Sequence, residues 1–253
     1  MKGKYVSMLN DAICDEIAGV DYTYNEHDKE ILKKMFAEIN LQTGSEYNYL
    51  AEVAELAMRG AGSIMAQYVD LFDSESIRCY LIPHIVSDGV RCSMEIVLQS
   101  YLRFRTSKEY ISKAGEPSPA HIYVRYDNAF KSLKPKRLAA ELYAIVKEPR
   151  DAYYLPLTVR MLSSWKIIDM EELLLAFLGG TSITAESVGL GADGCEEYYP
   201  SLDTIKRELR FTALAGLIHF NTERTFKAIE SVIHDADEDI ANAAKKTLKK
   251  LRF

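Results

Sequence analysis

One short pattern recurs five times along the chain: an aliphatic residue followed by arginine, with an aliphatic or small residue eight positions after the first. The arginine positions lie 34, 35, 50 and 31 residues apart, and the last copy has alanine in place of arginine. Recurrence at about 20 to 50 residues is typical of helical solenoids, in which each helix pair covers the apolar face of the next. The copies are Val90-Arg91 with Leu98, Val124-Arg125 with Ser132, Val159-Arg160 with Ile167, Leu209-Arg210 with Leu217, and Ile240-Ala241 with Leu248.

The last two copies predict consecutive antiparallel helix pairs. In the final pair, one helix lies within Thr222–His234, and the next begins near Asp237, whose carboxylate suits a helix start. The preceding pair consists of Asp169–Leu178 and Pro200–Phe220. Between these two helices lies Gly179–Tyr199, and treating about 19 of its residues as an insertion reduces the 50-residue spacing to 31.

The segments that carry this pattern resemble HEAT repeats. The resemblance rests on Leu81–Arg91, which includes Pro83, on Leu209–Leu217 and on Asp235–Leu251. It implies an all-α fold, a right-handed α-α superhelix of stacked antiparallel helix pairs. Residues 74–253 are then HEAT-like repeats with a loop insertion at about 179–199, and residues 1–73 are an atypical N-terminal helical cap of the same continuous domain.

Two stretches allow more than one interpretation. His121–Tyr126 alternates in polarity as a strand does, but a helix continuing to Leu133 is preferred. The register near Leu155-Pro156-Leu157 stays open, because a helix can begin there instead. The first 70 residues predict further helices, one of which starts at Asn25–Asp28.

Composition argues for a soluble cytoplasmic protein. The chain has 253 residues, 48% of them hydrophobic, and a net charge of −6, which disfavours general binding of nucleic acid. Its longest strongly apolar run, Leu173–Leu178, is too short to span a membrane, and no secretory signal is expected. The four cysteines have no paired spacing, which favours reduced thiols.

Several motifs fail as catalytic, cofactor or metal sites. Gly189–Gly194 matches G-x-G-x-x-G, but Glu196 and Glu197 follow where phosphates would bind. The acids at Asp235–Asp239 lack the glycine of a calcium loop, and Cys79, His84 and Cys92 lack zinc-ligand spacing. No catalytic, cofactor-binding or metal-binding residue is therefore assigned.

The candidate partner-binding residues fall in two groups. The first lies in the insertion, where tyrosines give a large contact area at low entropic cost: Cys195, Glu196, Glu197, Tyr198 and Tyr199. The second is the set of motif arginines: Arg91, Arg125, Arg160 and Arg210. The alternative for the insertion is a solvated loop whose deletion costs little stability.

Two basic clusters either join into a binding stripe or simply favour helix ends and solubility. They are Arg103, Arg105 and Lys108, and Lys131, Lys134, Lys136 and Arg137.

Three functions are compatible with these features. The favoured one is a non-enzymatic scaffold or adaptor that holds an unidentified protein partner on the concave face of the solenoid. The second is a nucleic-acid-binding or base-repair protein similar to the HEAT-like alkylpurine glycosylases, although those are basic and rich in tryptophan and this chain has Trp165 alone. The third is an immunity protein that neutralises a basic toxin.

Overall fold

A computed structural model describes residues 15–17, 20–22, 25–44, 46, 61–87, 93–106, 119–180, 183–188 and 201–251. The described residues form an all-α fold, as predicted, and one small hairpin that the sequence does not predict. The chain divides into two compact units, Met1–Leu133 and Lys134–Phe253. This division at Leu133 is not predicted by the sequence pattern, which runs through it.

The first unit contains a hairpin followed by five described helices. The hairpin pairs two strands of three residues antiparallel, with Asp15 opposite Tyr22, within a stretch for which the sequence predicts helix. The elements are β1 (Asp15–Ile17), β2 (Val20–Tyr22), α1 (Glu26–Thr43), α2 (Ala61–Tyr68) with a 3-10 turn at Val69–Leu71, α3 (Glu75–Ser87), α4 (Ser93–Thr106) and α5 (Pro119–Leu133).

Helix α1 begins where the sequence predicts. The Asn25 side chain accepts a hydrogen bond from the backbone N–H of Asp28 at 2.7 Å, as an N-cap does. At the other end Gly44 adopts a left-handed conformation, with φ of 69°, and donates to the carbonyl of Asn40 at 2.8 Å. The buried face of α1 packs on α2, and both contribute to one core with α3.

Buried polar groups fix the start of α3. The Asp28 carboxylate accepts hydrogen bonds from the backbone N–H groups of Asp73 (2.8 Å) and Ser74 (3.1 Å), although burial raises its pKa. Arg78 forms a buried ion pair with Glu75 and donates to the Asp73 carbonyl at 3.1 Å. Because the groups are buried and hydrogen-bonded, they hold the first turn of α3 in place.

Helix α5 includes His121–Tyr126, so the preferred helical interpretation of this stretch is confirmed. Its buried residues Tyr123, Tyr126 and Phe130 recur at helical spacing and pack against Tyr101 of α4. Val124 faces away from them and is 55% exposed. In the second copy of the sequence pattern, the aliphatic residue Val124 is therefore not a core residue, because the aromatic residues occupy the buried face of α5 instead.

The second unit consists of seven described α-helices and two 3-10 turns. The structure shows which helix begins at Leu155-Pro156. One helix ends at Tyr154, and the next begins at Pro156, where the missing N–H of proline is tolerated. The elements are a 3-10 turn at Lys136–Leu138, α6 (Ala139–Val146), α7 (Pro149–Tyr154), α8 (Pro156–Ser164), α9 (Met170–Gly179), a 3-10 turn at Glu186–Val188, α10 (Leu202–Leu217), α11 (Glu223–Glu230) and α12 (Glu238–Leu248).

The two predicted C-terminal helix pairs are present. Helix α10 packs along α9, and α11 packs against α12. Thr222 caps α11 by accepting from the N–H of Thr225 at 3.1 Å, and Asp237 caps α12 by accepting from the N–H of Asp239 at 2.9 Å. Capping therefore accounts for the acidic cluster before α12, as the sequence suggests.

Helix α10 lies at the centre of the second unit. It contacts α7, α8, α9 and α12. Val159 of α8, Leu209 of α10 and Ile240 of α12 are all fully buried, so three copies of the pattern do mark core positions. At Gly216 an added Cβ atom would lie 2.7 Å from Ser163 Oγ, so α10 and α8 approach here more closely than a side chain permits.

Two of the described residues of the insertion are buried. Ile183 is 2% exposed and Val188 is 3% exposed, and the 3-10 turn at Glu186–Val188 contacts α7. The expectation that the whole insertion is a solvated loop is therefore wrong for Ile183 and Val188, although residues 184–186 between them are exposed. These two aliphatic side chains are part of the core of the unit.

Candidate functional site

The motif arginines have different environments. Arg125 of α5 is half-buried beside a groove, Arg160 of α8 is exposed, and Arg210 of α10 is half-buried and ion-paired. Arg91 lies outside the described residues, as do Cys195, Glu196, Glu197, Tyr198 and Tyr199. The sequence treats the arginines as equivalent, and the structure does not.

Arg210 joins three segments of the second unit. Its Nε donates to the carbonyl of Leu178 at 3.2 Å, at the carboxyl end of α9. Its terminal nitrogens donate to both carboxylate oxygens of Asp235, in the turn before α12. This bidentate contact lowers the pKa of the Asp235 carboxyl group. The geometry gives Arg210 a structural role that the sequence does not predict.

A second arginine extends this link between α10 and the start of α12. Arg207 Nε lies 2.7 Å from Asp237 Oδ2, and a terminal nitrogen lies 2.6 Å from Asp239 Oδ2. The hydrogen bond from Arg207 lowers the pKa of Asp237. The guanidinium group also covers the Phe211 ring, 4.9 Å from its centroid. The acids at this turn are therefore paired with arginines of α10.

The turn that follows α8 has an unusual backbone. Lys166 and Asp169 have positive φ angles, 53° and 66°, although neither is glycine. Lys166 occupies the left-handed position after the helix, where the N–H of Ile167 donates to the Leu162 carbonyl at 3.4 Å. Such conformations cost on the order of 1–3 kcal/mol each and persist where the surrounding structure holds them. The sequence of this turn is therefore poorly suited to its conformation.

Side chains at this turn form an exposed basic and apolar surface. The Trp165 ring is half-buried, with Lys136 Nζ 5.8 Å from its centroid, within range of a cation–π interaction. Ile168 is 83% exposed, and Lys166, two positions before it in the chain, is exposed as well. We refer to Lys136, Trp165, Lys166 and Ile168 as the Trp165 patch.

The turn that carries Trp165, Lys166 and Ile168 contacts α6 and lies close to His219. The Tyr143 hydroxyl donates to the carbonyl of Asp169 at 3.5 Å, which ties the turn to α6. Burial, followed by the charge of Lys166, lowers the pKa of His219. Both effects disfavour the charged imidazolium form of His219, which follows α10 in the chain.

In the first unit, α3 and α5 enclose a groove of about 400 Å³. Pro83 lies inside α3 and has no N–H to donate to the Cys79 carbonyl. The groove is lined by Pro83, Val86, Arg125, Asn128, Ala129 and Ser132. We refer to it as the Pro83 groove.

A buried polar cluster connects α3, α4 and α5 in the same unit. The Tyr126 hydroxyl lies 2.8 Å from Ser100 Oγ and accepts a long hydrogen bond from Cys79 Sγ at 3.5 Å. Burial raises the pKa values of both Cys79 and Tyr126, which keeps the thiol and the phenol protonated. The cluster is suited to packing and offers no thiolate nucleophile.

A second, polar cavity of about 370 Å³ lies at the turn before α12. Its lining includes His234, Asp235 and Glu238, but Asp235 is already paired with Arg210. Within the described ranges, no three His, Cys, Asp or Glu side chains converge in a way that could hold a metal ion. This cavity therefore lacks the arrangement of a metal centre.

Sequence reasoning missed the Trp165 patch and only partly found the Pro83 groove. It named Lys136 in a basic cluster and Trp165 as the chain's single tryptophan, but nothing local indicates that Ile168 is exposed. For the Pro83 groove it named Pro83 and Arg125 separately. Their proximity depends on how α3 packs on α5, which a pattern within either helix does not encode.

Comparison with models of known protein families gives no match, and neither curated proteins nor solved structures show significant similarity to this chain. Among the helices in the described part of the chain, none is both long and apolar enough to cross a membrane.

Proposed function

We propose that this protein is an interaction module whose Trp165 patch binds an acidic segment of a protein partner. The observation that carries the proposal is Ile168, an aliphatic side chain that is 83% exposed on a turn with two positive φ angles, three residues after Trp165 in the chain. Exposed apolar residues on a turn, with polar groups around them, are typical of interaction sites.

The chemistry of the Trp165 patch defines the partner. Tryptophan and a neighbouring aliphatic residue supply the apolar centre that dominates binding energy at interfaces. Lys136 Nζ lies over the Trp165 ring, and Lys166 directly follows Trp165 in the chain. Both ammonium groups favour carboxylates, although the whole chain carries a net charge of −6. The expected ligand is an acidic peptide segment with at least one large apolar side chain.

For the architecture of residues 134–253 we propose a stack of HEAT-type helix pairs. The pairing of α9 with α10 and of α11 with α12, and the position of α10 between α8 and α12, support it. Side-chain links between successive pairs support it further: the Glu171 carboxylate of α9 accepts from Thr225 Oγ1 of α11 at 2.7 Å. Such a stack is a common scaffold for partner binding, and the analogy extends no further than the fold.

The test uses the single tryptophan as a reporter. A random peptide library displayed on phage is selected on the purified full chain, and enriched peptides are synthesised and titrated against its Trp165 fluorescence. We expect acidic sequences with an apolar anchor, a shift of the Trp165 emission on binding, and weaker binding at higher salt.

Two variants with equally exposed aliphatic positions decide whether the Trp165 patch is the site. Ile168→Asp removes the apolar contact and adds a repelling charge, so affinity should fall at least about tenfold. Leu41→Asp, at a residue 86% exposed in the first unit, is the matched control and should bind as the wild type does. Failure to enrich acidic peptides, or equal affinities for wild type and Ile168→Asp, refutes the proposal.

A further inference from the structure

We infer that the carboxyl end of α12 binds the surface of a membrane that contains anionic lipids. Four lysines carry this inference, and we refer to them as the α12 lysine face: Lys245, Lys246, Lys249 and Lys250. The inference uses none of the residues of the Trp165 patch and does not depend on the proposed protein partner.

The α12 lysine face is the exposed side of the last two turns of the chain's final helix. All four lysines are exposed. The N–H of Leu251 donates to the Thr247 carbonyl at 3.2 Å, so the helical turn continues past the end of α12 and includes all of them. At about 100° per residue, the four side chains cover an arc of about 140° around the helix. On the opposite side, Ile240 and Ala244 are fully buried in the second unit.

The charges of the α12 lysine face are not paired within the fold. In the part of the chain that the structure describes, none of the four ammonium groups forms an ion pair or a hydrogen bond. Other cations of the second unit do contact carboxylates: Arg207, Arg210, Arg224 and Lys227. Positive charge favours the carboxyl end of a helix, but lysines four residues apart repel each other and oppose that gain. The four ammonium groups therefore remain available to an anionic ligand.

The basic segment is short and sharply bounded. Residues 245–252 include five Lys or Arg residues and no Asp or Glu, in a chain with a net charge of −6. The acids of α12 itself, Glu238 and Asp239, lie in its first turn, and Asp239 is paired with Arg207. About 9 Å of helix separate Asp239 from Lys245, which is close to the distance over which physiological salt screens a charge. The acids of α12 therefore weaken the attraction of anions to the lysines only slightly.

The chemistry of the α12 lysine face favours lipid headgroups over nucleic acid. Lysine is a compact charge on a flexible chain, whereas nucleic-acid recognition relies on the planar group of arginine and on aromatic rings that stack on bases. Helix α12 contains neither arginine nor an aromatic residue. Anionic lipids also diffuse within the bilayer, so they can gather at side chains that spread over a wide arc. Clusters of about four to eight basic residues on a helix are typical of this kind of binding.

The expected contact is electrostatic and peripheral. The apolar face of α12 packs inside the second unit, so binding does not require insertion of this face into the bilayer. Each lysine close to an anionic leaflet strengthens binding by about fivefold, and salt screens this attraction. Loss of two lysines should therefore weaken binding by about 25-fold.

The experiment is co-sedimentation of the full chain with vesicles. One preparation contains phosphatidylcholine with about 30% phosphatidylserine, and the other contains phosphatidylcholine alone. We expect binding at least about tenfold stronger to the anionic vesicles, and a fall of at least about tenfold when the salt concentration rises from about 50 mM to about 500 mM. Equal binding to the two preparations, or binding that salt does not weaken, overturns the inference.

Paired substitutions locate the contact. Lys246→Gln with Lys250→Gln removes two charges and keeps a residue that favours helix, so binding to anionic vesicles should fall by about 25-fold. Lys34→Gln with Lys147→Gln is the matched control, because it removes two charges from exposed lysines of other helices and should leave binding unchanged. If the first variant does not fold, Lys249→Gln alone should weaken binding by about fivefold. Unchanged binding in the folded variant, or an equal loss in the control, overturns the inference.

Two further measurements exclude other contacts. Ile168→Asp should bind anionic vesicles as the wild type does, and a loss of binding in this variant would place the contact at the Trp165 patch instead. Binding to a short DNA duplex should be weaker than binding to anionic vesicles at the same concentration of negative charge. A loss in Ile168→Asp, or stronger binding to the duplex, overturns the inference. Peptide binding at the Trp165 patch is measured separately, so either proposal can fail alone.

Discussion

Gly216→Ala tests the packing at the centre of the second unit. The new Cβ atom would lie 2.7 Å from Ser163 Oγ and 2.8 Å from Leu174 Cδ1, closer than real Cβ contacts allow. Both neighbours are buried, and Ser163 Oγ already donates to the Val159 carbonyl at 2.7 Å, so neither can move without loss of a contact. The substitution therefore forces α8, α9 and α10 apart locally.

The expected magnitude comes from two opposing effects. Overpacking in a filled core costs about 1–3 kcal/mol. Replacing glycine by alanine inside a helix returns about 0.5–1 kcal/mol of backbone entropy. At the middle of both ranges the packing cost is larger, so we expect a net loss of about 1 kcal/mol in the free energy of unfolding, which is roughly a tenth of the stability of a typical domain.

Urea denaturation followed by Trp165 fluorescence measures this loss, because Trp165 lies in the same unit as Gly216. Gly179→Ala is the control, since its added Cβ meets no atom within 4 Å and should cause no loss. In a Ser163→Ala background the penalty should shrink, because the nearest obstructing atom is removed. A Gly216→Ala variant as stable as the wild type, or more stable, would refute the packing argument.

The remaining predictions concern the insertion and the link between α10 and α12. Ile183→Ala should cost about 2–5 kcal/mol in urea melts, because the side chain is buried; a cost below about 0.5 kcal/mol would restore the solvated-loop interpretation. Asp235→Asn should flatten the pH dependence of stability. The folded pKa of Asp235 lies below its unfolded value of about 3.9, so the Arg210 contact stabilises above that pH and is lost as the pH falls through the folded pKa. The free energy of unfolding is measured by urea denaturation at pH 3 and at pH 7. If it changes between these pH values by the same amount in the variant and the wild type, the Asp235 assignment is contradicted.

Two copies of the same sequence pattern have different environments in the structure. The pattern of Val124-Arg125 looks like that of Val159-Arg160, yet Val124 is exposed and Val159 is buried. The aromatic residues of α5 decide this difference, because burying Tyr126 and its neighbours removes more apolar area from water than burying one valine. A pattern match over two residues does not weigh these alternatives.

The starts of several helices follow from the sequence alone. Asn25, Thr222 and Asp237 start helices through hydrogen bonds to groups two or three residues away, and the apolar periodicity between such caps sets the buried faces. These interactions are local, so a short window of sequence contains all the groups that take part.

Tertiary packing decided the sites. Arg210 meets Asp235 from 25 positions away, Lys136 meets Trp165 from 29 positions away, and the Pro83 groove needs α3 beside α5. In each case the energy of the contact depends on how much water the surrounding helices exclude, and that is a property of the assembled core. Which arginine is tied into the fold and which borders a groove is therefore settled by distant residues, not by the arginine's own neighbours in the chain.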